Sequence, residues 1–315
     1  MDLLNEITVI VPYFNEAEVI VETLERLRAQ TLTPSKVIMV NSSSTDSSSL
    51  VVDQWITKNQ SLLACPFHNL NSRTNTPGGS KAAGVDIATT EFVAFMDCGL
   101  NFSPDWLALQ FAMLTSDSDA SWVSGGLITS GEGITDKCAI AHTYGYRRFR
   151  PCMPSSLLRR NIFETVGRFK DLRAGYDAQW IRDANRFGQK RLINESVVVS
   201  YFGTSFAPNL WRVFKKSILY ARPTSRSGNR KTPSVYISAA AAGLIVAIFA
   251  PPLFVVGVAA YFFARLGLAF KKSKSNAVYF LRPDRLVMLL LTGAALDFGK
   301  FIGYSRGLID SFSTK

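Results

Sequence analysis

The amino-acid sequence predicts an α/β fold with a largely parallel sheet, followed by a helical membrane region. Two observations predict the sheet: short apolar runs of strand length alternate with helical patterns, and the runs end at polar or turn residues. A third observation separates the two parts of the chain. Residues 1–195 carry 19 basic and 21 acidic side chains, whereas residues 196–315 carry 16 basic and 3 acidic ones. The chain of 315 residues is expected to join a near-neutral globular domain to a basic, apolar part.

The first strand and helix follow from the hydrophobic pattern. Residues 7–11 form an almost wholly apolar run that Pro12 closes, which is typical of a buried parallel strand. A helical pattern follows over Glu16–Gln30, with its apolar side chains on one face. Asn15 stands directly before this helix and is placed to cap it.

Two further strands are predicted over Val37–Val40 and Glu91–Met96, and Asp46 or Ser47 begins a helix after the first of them. Ligands of such sheets bind beyond the carboxyl ends of the parallel strands. We therefore expect the functional site at that edge of the sheet. The polar segments that follow the strands there are Pro12–Glu16, Asn41–Asp46 and Asp97–Gly99.

The order and spacing of these segments resemble those of family 2 glycosyltransferases with the GT-A fold. The resemblance covers about residues 5–190 and is carried by ITVIVPYFNEAEVIVETLERLRAQT, VIMVNSSSTDSSS, Gly79–Gly84, FVAFMDCG and GYDAQWIRDANRFG. It implies the nucleotide-diphospho-sugar transferase fold, an inverting transfer from a nucleotide-diphosphate sugar, and often a divalent metal ion.

The resemblance also implies where the sugar-nucleotide donor binds. The positions that match the donor side are Pro12, Asn15, Glu16, Asn41, Ser42, Asp46, Lys81 and Asp97. Where the family usually has two aspartates, this chain has Asn41 and Ser42, and the identity of the nucleotide base is left open. Asn15 and Asp46 have a second interpretation as simple helix caps.

A metal site is implied at Asp97-Cys98-Gly99, where the family usually has Asp-x-Asp. Hard divalent cations prefer oxygen ligands, so Asp97 is the predicted ligand of Mg²⁺ or Mn²⁺. Gly99 removes the second carboxylate and weakens the predicted site. Binding then rests on Asp97, the diphosphate and water, or on another residue such as Asp105. Weak metal dependence, and a purely structural role of Asp97 at the strand end, remain alternatives.

Asp177 is the predicted catalytic base. It begins a helical run over Asp177–Phe187 that Gly188 closes, and it matches the second, catalytic member of the family's Glu-Asp motif. Tyr176 takes the place of the Glu. A carboxylate there would deprotonate an attacking hydroxyl; stabilisation of the helix N-terminus is the alternative. The segment Ser155–Val166 is interpreted as a helix on the acceptor side.

The C-terminal part has the pattern of a membrane region. Val235–Ala264 carries no charge, and Pro251-Pro252 interrupts it near the middle, which favours a hairpin of two helices over 235–270. A second apolar stretch over 286–309 contains charged residues and is either a third membrane segment or an interfacial helix. The basic flanks 212–231 and 265–285 are expected to face the cytoplasm.

These patterns divide the chain into a catalytic domain over 1–205, an amphipathic interfacial segment over 206–234 and membrane-associated helices over 235–315. Residues 1–6 show no signal peptide, so the catalytic domain is expected on the cytoplasmic side of the inner membrane. A basic patch beside lipid-like sequence favours membrane lipids rather than nucleic acid as its partner.

The sequence therefore predicts a membrane-anchored inverting glycosyltransferase. Its partners would be a nucleotide-diphosphate sugar and a polyprenyl-linked acceptor, in polysaccharide or glycoconjugate synthesis. A nucleotide-binding oxidoreductase is disfavoured because no GxGxxG turn follows the first strand. A non-catalytic glycosyltransferase-like membrane scaffold is the remaining alternative, because Asn41, Ser42, Gly99 and Tyr176 depart from acidic family positions.

Overall fold

A computed structural model of the chain describes residues 6–201, 207–224 and 231–313. The chain forms two compact units, the first made of Met1–Leu127 and Phe149–Gly203, the second of Ile128–Arg148 and Thr204–Lys315. Residues 128–148 thus belong to the second unit, although the sequence analysis places them inside the catalytic domain. The predicted domain boundary at residue 205 and the N-terminal residues 1–5 lie outside the described residues.

The first unit alternates strands and helices along the chain, as predicted. Its strands are β1 (Ile7–Tyr13), β2 (Lys36–Asn41), β3 (Phe67–Asn71), β4 (Phe92–Met96), β5 (Leu100–Asn101), β6 (Ala120–Leu127), β7 (Arg150–Arg159) and β8 (Lys190–Tyr201). The helices of the chain up to β8 are α1 (Ile20–Arg28), α2 (Ser48–Asn59), α3 (Pro77–Ile87), α4 (Trp106–Thr115), α5 (Ile134–Thr143), α6 (Ile162–Val166) and α7 (Tyr176–Arg186). Of these helices, α5 belongs to the second unit.

In the described residues the strands form one mixed sheet in the order β3-β2-β1-β4-β7-β6-β8-β5. The strands β3, β2, β1 and β4 are parallel, with Val9 of β1 facing Val37 of β2 and Ala94 of β4. The strand β7 runs antiparallel to β4 and β6, and β5 runs antiparallel to β8. The strands β6 and β8 pair in parallel. The predicted parallel pairing is therefore found in the N-terminal half of the sheet and again between β6 and β8.

The strands β1, β2 and β4 of the parallel half are buried on both faces. In β1, Ile7, Val9 and Val11 pack in a core with α1, α2 and α4, whereas Ile10 belongs to a second core with α3, α6 and α7. Side chains of a strand alternate between the faces of a sheet, so helices on both sides account for the nearly continuous apolar run.

Two predicted helices have different bounds in the structure. α1 begins at Ile20, after a turn over Ala17–Val19, and not at Glu16. The predicted helix over Ser155–Val166 is wrong in its first part: residues 155–159 are the end of β7, and only Ile162–Val166 is helical. The four residues Ser155–Leu158 are buried on both faces of the sheet, and such a strand shows no alternation in the sequence.

The second unit is helical. Besides α5 it contains α8 (Leu210–Thr224), α9 (Lys231–Phe249), α10 (Pro251–Ser273) and α11 (Pro283–Ser313), with a 3₁₀ segment at Lys274–Leu281. α9 and α10 meet at Ala250, directly before the two prolines that predict the break. Three segments of the described chain are long and apolar enough to cross a membrane: Thr232–Phe249, Pro251–Leu281 and Pro283–Asp310.

The helix α8 packs along α11. A Cβ built on Gly303 would lie 2.7 Å from Cβ of Ala221, and one on Gly299 would lie 2.7 Å from Cβ of Ser217, so these glycines allow the two backbones to approach. The Ser217 hydroxyl donates to the carbonyl of Leu296 at 2.6 Å. The sequence predicts an amphipathic helix lying on the membrane surface. In the structure, the buried face of α8 packs on α11. Contact of the exposed face of α8 with the membrane surface stays a prediction.

Residues 225–230 of the predicted interfacial segment lie outside the described residues.

The close approach of α8 and α11 predicts the effect of filling it. Gly303→Leu places a side chain where Ala221 and the carbonyl of Ile218 already lie. We expect the free energy of unfolding in detergent to fall by about 1–3 kcal/mol, the usual effect of overpacking. Gly267→Leu on α10 is the matched control, because a Cβ there meets nothing within 4 Å. Equal stability of the two variants would contradict this packing.

Candidate active site

Polar side chains gather at the carboxyl ends of β1, β2 and β4, the edge where the sequence predicts a site. The parallel register of the three strands brings Pro12–Glu16, Asn41–Asp46 and Asp97–Gly99 to the same side of the sheet. Of the predicted donor-side positions, Pro12 and Asn41 lie in β1 and β2, and Lys81 lies on α3. The others lie in the loops that follow the strands: Asn15, Glu16, Ser42, Asp46 and Asp97.

The loops after β1 and β2 are fastened to each other by Asn15. Its backbone adopts the left-handed conformation with φ of 55°, and its Oδ1 accepts from the backbone N–H of Thr45 at 2.8 Å. Its amide Nδ2 donates to the Thr45 hydroxyl at 3.2 Å, and its backbone N–H donates to the hydroxyl of Ser44. α1 starts later, so Asn15 joins two loops and does not cap that helix.

Asp46 fixes the start of α2. Its Oδ1 accepts from the backbone N–H of Ser48 at 3.0 Å and from the Ser48 hydroxyl, and its Oδ2 accepts from the N–H of Ala17 at 3.3 Å. Burial acts to raise the pKa of this carboxyl, but the hydrogen bonds from Ser48 and Ala17 outweigh it and the pKa is lowered. The carboxylate is exposed and already holds three donors.

Asn41 and Ser42 are buried, in the place where the family resemblance implies aspartates. The Oδ1 atom of Asn41 accepts from the N–H of Ser44 at 2.8 Å, and its Nδ2 donates to Asn71 at 3.0 Å. The hydroxyls of Ser42 and Ser80 share a hydrogen bond of 2.7 Å. Both side chains therefore hold the loop after β2 in place.

The centre of the site is an ion pair between Lys81 and Asp97. The ammonium Nζ lies 2.8 Å from Oδ1 of Asp97 and donates to the hydroxyl of Tyr176 at 3.1 Å. The lysine side chain is 0% exposed and that of Asp97 is 25% exposed. The rings of Phe95 and Tyr176 complete the surroundings of the ammonium, with centroids at 5.8 and 5.5 Å.

The charge of Lys81 is stable in this setting. Burial acts to lower the pKa of the ammonium, but the Asp97 carboxylate and the Tyr176 phenol reverse the effect, and the pKa is raised. Burial raises the pKa of the Tyr176 phenol, which stays neutral and accepts the hydrogen bond. The sequence predicts donor binding by Lys81; in the structure its ammonium points inward, to Asp97 and Tyr176.

Close packing of α3 makes this arrangement rigid. The hydroxyl of Thr76 caps α3 by accepting from the N–H of Gly79 at 3.1 Å and also donates to Asp171. A Cβ on Gly78 would lie 2.2 Å from the carbonyl oxygen of Lys170, so only glycine fits there. The segment before α7 is thus held directly against the helix that carries Lys81.

Asp177 is the second residue of α7, one position after Tyr176. The helix begins after Gly175, whose φ is 77°, and ends before Gly188, whose φ is 70°, as the sequence predicts. The Oδ1 atom of Asp177 accepts from the N–H of Ala178 at 2.8 Å, and the carboxylate is partly exposed. Its charge and that of Asp97 both act on the Tyr176 phenol.

Glu16 adds a second carboxyl group beside Asp97. Its backbone N–H donates to the Ser48 hydroxyl at 2.8 Å, and its side chain is half-buried. Burial, with the charges of Asp97 and Asp46, raises the pKa of Glu16 to about 7. The sequence names Glu16 as a donor-side residue but gives no sign of this shift, which depends on neighbours from other strands.

The carboxyl groups present fit a divalent cation that is held mainly by its substrate. Within the described residues, no group of three or more His, Cys, Asp or Glu side chains could hold a metal ion. Gly99 has no side chain that could offer an oxygen ligand. Its φ is 79°, and its N–H donates to the hydroxyl of Thr23. Asp97 and the neighbouring Glu16 remain as oxygen donors, a set that suits Mg²⁺ or Mn²⁺ when phosphates complete the shell.

The family model for glycosyl transferase family 2 matches residues 8–167, which is half of the chain. The chain belongs to glycosyl transferase family 2. It is a glycosyltransferase whose first unit has the GT-A fold, and whose second unit carries long apolar helices that could span a membrane. None of the curated proteins matches this chain.

Solved structures resemble this glycosyltransferase over nearly its whole length. The mannosyltransferase PcManGT from Pyrobaculum calidifontis, in complex with GDP-Man and Mn²⁺, superposes with a TM-score of 0.56 at 19% identity. The alignment covers 97% of this chain and 87% of that one. TarS 1-349 from S. aureus in complex with UDP superposes with a TM-score of 0.47 at 15% identity, over 98% and 91% of the two chains. At these identities the first likeness supports the fold alone.

The raised pKa of Glu16 predicts a pH-dependent stability. The folded chain binds the Glu16 proton more tightly than the ordinary pKa of 4.5 allows, so the stability it contributes is fully present below about pH 4.5 and is lost as the pH rises through about 7. Glu16→Gln removes that loss. Relative to the wild type, the unfolding free energy of the variant should increase from about pH 5 to pH 8.

Chemical denaturation at several pH values measures this difference, with the exposed Glu18→Gln as the matched control. A difference between wild type and Glu16→Gln that stays constant across the range would show that Glu16 is not titrating there.

Proposed function

We propose that this glycosyltransferase moves a sugar from a nucleotide-diphosphate donor to a polyprenyl-linked acceptor, with inversion at the anomeric carbon. The observation that carries the proposal is the buried Lys81 ammonium, which joins the donor-side carboxylate Asp97 to Tyr176 at the start of α7. Asp177 follows Tyr176 directly, so one ammonium fixes the donor side and the segment that bears the proposed base.

On the donor side, the exposed or partly exposed residues Asn15, Glu16, Asp46 and Asp97 are assigned to contacts with the nucleotide or its diphosphate. The buried residues Pro12, Asn41, Ser42 and Lys81 shape the loops behind them. Lys81 is proposed to act through Asp97, whose orientation it sets, because its own side chain does not reach the surface.

A divalent cation, Mg²⁺ or Mn²⁺, is proposed to bind with the donor, held by Asp97 and the diphosphate. When bound, such an ion supplies positive charge to the leaving diphosphate. The protein's own contribution is the orientation of the Asp97 carboxylate by Lys81, and the neighbouring Glu16 carboxyl, which binds a proton near pH 7.

On the acceptor side, Asp177 is the proposed general base. In an inverting transfer the acceptor oxygen attacks the anomeric carbon while the bond from that carbon to the diphosphate oxygen breaks. The proton of the attacking hydroxyl passes to a carboxylate on the acceptor side. Asp177 suits this task because it is partly exposed, and its one described hydrogen bond comes from the backbone N–H of Ala178.

The lipid-linked acceptor is supported by the three helices that could cross a membrane, since the chain carries its own means of reaching a membrane-bound substrate. The basic flanks 212–231 and 265–285 favour a catalytic unit on the cytoplasmic side of the inner membrane. Synthesis of a polysaccharide or glycoconjugate on a lipid carrier is the process that uses such a reaction.

Asp177→Asn tests the assignment of the base. The substitution keeps the size of the side chain and the acceptor for the Ala178 N–H, but it cannot take up the proton. We expect kcat to fall by about 10²–10⁴ with a hydroxyl acceptor, while the KM of the donor changes little. Asp183→Asn on the same helix is the matched control. The assay is sugar transfer by purified protein, after a screen of nucleotide sugars with and without Mg²⁺ or Mn²⁺.

Two acceptors make the result decisive. A polyprenyl phosphate needs little deprotonation, so Asp177→Asn should affect transfer to it less than transfer to a lipid-linked saccharide hydroxyl. A folded Asp177→Asn variant that transfers sugar to the hydroxyl at the rate of Asp183→Asn would exclude Asp177 as the base. Absence of transfer by the wild type to any polyprenyl-linked acceptor would contradict the proposed acceptor class.

A further inference from the structure

The helical unit contains a cluster of charged side chains inside the segments that could cross a membrane. Asp297 of α11 lies at its centre: its Oδ2 is 2.9 Å from Nε of Arg265 on α10, and its Oδ1 is 3.5 Å from Nζ of Lys300. The hydroxyls of Tyr236 and Tyr261 donate to the same carboxylate at 3.0 and 2.9 Å. Side chains of α9, α10 and α11 therefore converge on one carboxylate.

The cluster has more positive than negative charge. Arg265 and Lys300 share the single carboxylate of Asp297, and in the described residues neither has another carboxylate within ion-pair distance. The other acidic groups of α11 have their own partners: Asp284 pairs with Arg282 at 3.2 Å and Asp310 with Arg222 at 2.6 Å. One positive charge of the cluster is thus left without a balancing carboxylate.

This excess charge is partly withdrawn from solvent. The side chains of Arg265, Asp297 and Lys300 are 12%, 16% and 26% exposed. A charge inside apolar helices is costly unless it is paired, and charged residues at such positions commonly face a substrate or ion path. The ammonium of Lys272 interacts with Arg265, Asp297 and Lys300 and adds to the positive potential of the cluster.

Donor groups of the cluster remain available to an anion. Arg265 Nε is buried 2.9 Å from Oδ2 of Asp297, whereas Nη2 makes a long contact of 3.5 Å with the carbonyl of Gly293. Lys300 donates only over 3.4 and 3.5 Å, to Tyr236 and Asp297. Guanidinium and ammonium groups at such sites are the usual ligands of phosphate oxygens.

The cluster lies toward the basic end of the α9–α10 pair. Arg265 is eight residues before the end of α10, and Tyr236 is five residues after the start of α9, which places them about 12 Å and 8 Å inside the helices. The same helix ends carry the basic flanks, and on α11 the residues Asp297 and Lys300 lie 14 and 17 residues after Pro283, near the middle of that helix.

We propose that Arg265 and Lys300 form a binding site for the phosphate group of a lipid, beside the Asp297 carboxylate that balances one of their two charges. The phosphate neutralises the charge that Asp297 leaves unbalanced, and the apolar surfaces of the helices receive the lipid chain. Resting on the proposed function, the inference assigns the lipid as a polyprenyl phosphate or diphosphate, the carrier of the acceptor.

Binding of polyprenyl phosphate to the full chain in phosphatidylcholine nanodiscs tests this site without any donor. Arg265→Gln and Lys300→Gln each remove one charged donor to the phosphate, so the dissociation constant should rise about ten- to a hundredfold. Lys271→Gln is the matched control, since Lys271 is exposed and lies on the same helix. Its affinity should stay within about twofold of the wild type, an expectation for an exposed charge.

Asp297→Asn separates an anion site from a purely structural ion pair, because the two accounts predict opposite signs. If the cations serve the phosphate, removal of their competing carboxylate strengthens lipid binding. If they serve only to hold the helices together, the variant loses thermal stability and binds lipid no better. If Arg265→Gln fails to fold, Lys300→Gln and Asp297→Asn still test the site. For both variants, thermal unfolding is measured together with the affinity for the lipid.

Competition identifies the source of the phosphate. Phosphatidylglycerol and inorganic phosphate should not displace polyprenyl phosphate at equal concentration; displacement by either one overturns the assignment to the acceptor carrier. Wild-type affinity in both Arg265→Gln and Lys300→Gln overturns the site itself. Transfer to a polyprenyl acceptor that these variants leave unchanged would refute this site and keep the proposed function. Lipid binding that depends on Arg265 and Lys300, without any sugar transfer by the wild type, would support this site and contradict the proposed function.

Discussion

The buried charge of Lys81 is the constraint on which the arrangement of the active site depends. A fully buried ammonium must find its partners inside the protein, and removal of one partner of such a pair commonly costs about 3–5 kcal/mol. Here the partners are Asp97 at the end of β4 and Tyr176 at the start of α7, at 2.8 and 3.1 Å. The end of β4 and the start of α7 are thereby both held by Nζ of Lys81. The proposed base, Asp177, follows Tyr176 directly.

Two charge clusters of this glycosyltransferase differ in their balance, and the difference indicates different uses. In the first unit, one ammonium meets one carboxylate and a neutral phenol, so the group is closed and serves to position its neighbours. In the second unit, Arg265 and Lys300 share the carboxylate of Asp297. The first arrangement is complete without a ligand, whereas the second gains from an anion.

Local patterns in the sequence are sufficient to predict the strands β1, β2 and β4, the polar edge that follows them, the helix after Gly175 and the break before Pro251. These features depend on neighbours along the chain. The inward orientation of Lys81 depends on Tyr176, 95 residues away, and the shift of Glu16 depends on Asp97. The strand β7 and the packing of α8 on α11 likewise depend on residues far away in the chain, which local patterns do not show. One local sign was present: Lys81 is the lone charge in the small-residue segment PGGSKAAG.

A double-mutant cycle between Lys81 and Tyr176 tests the central claim that one buried ammonium joins the donor side to α7. The measurement is the free energy of unfolding of Lys81→Met, Tyr176→Phe and the double variant. We predict a coupling energy of about 1 kcal/mol or more, the range found for groups that share one hydrogen-bonded network. Effects of the two substitutions that add within about 0.5 kcal/mol would contradict the claim, because independent sites behave in that way.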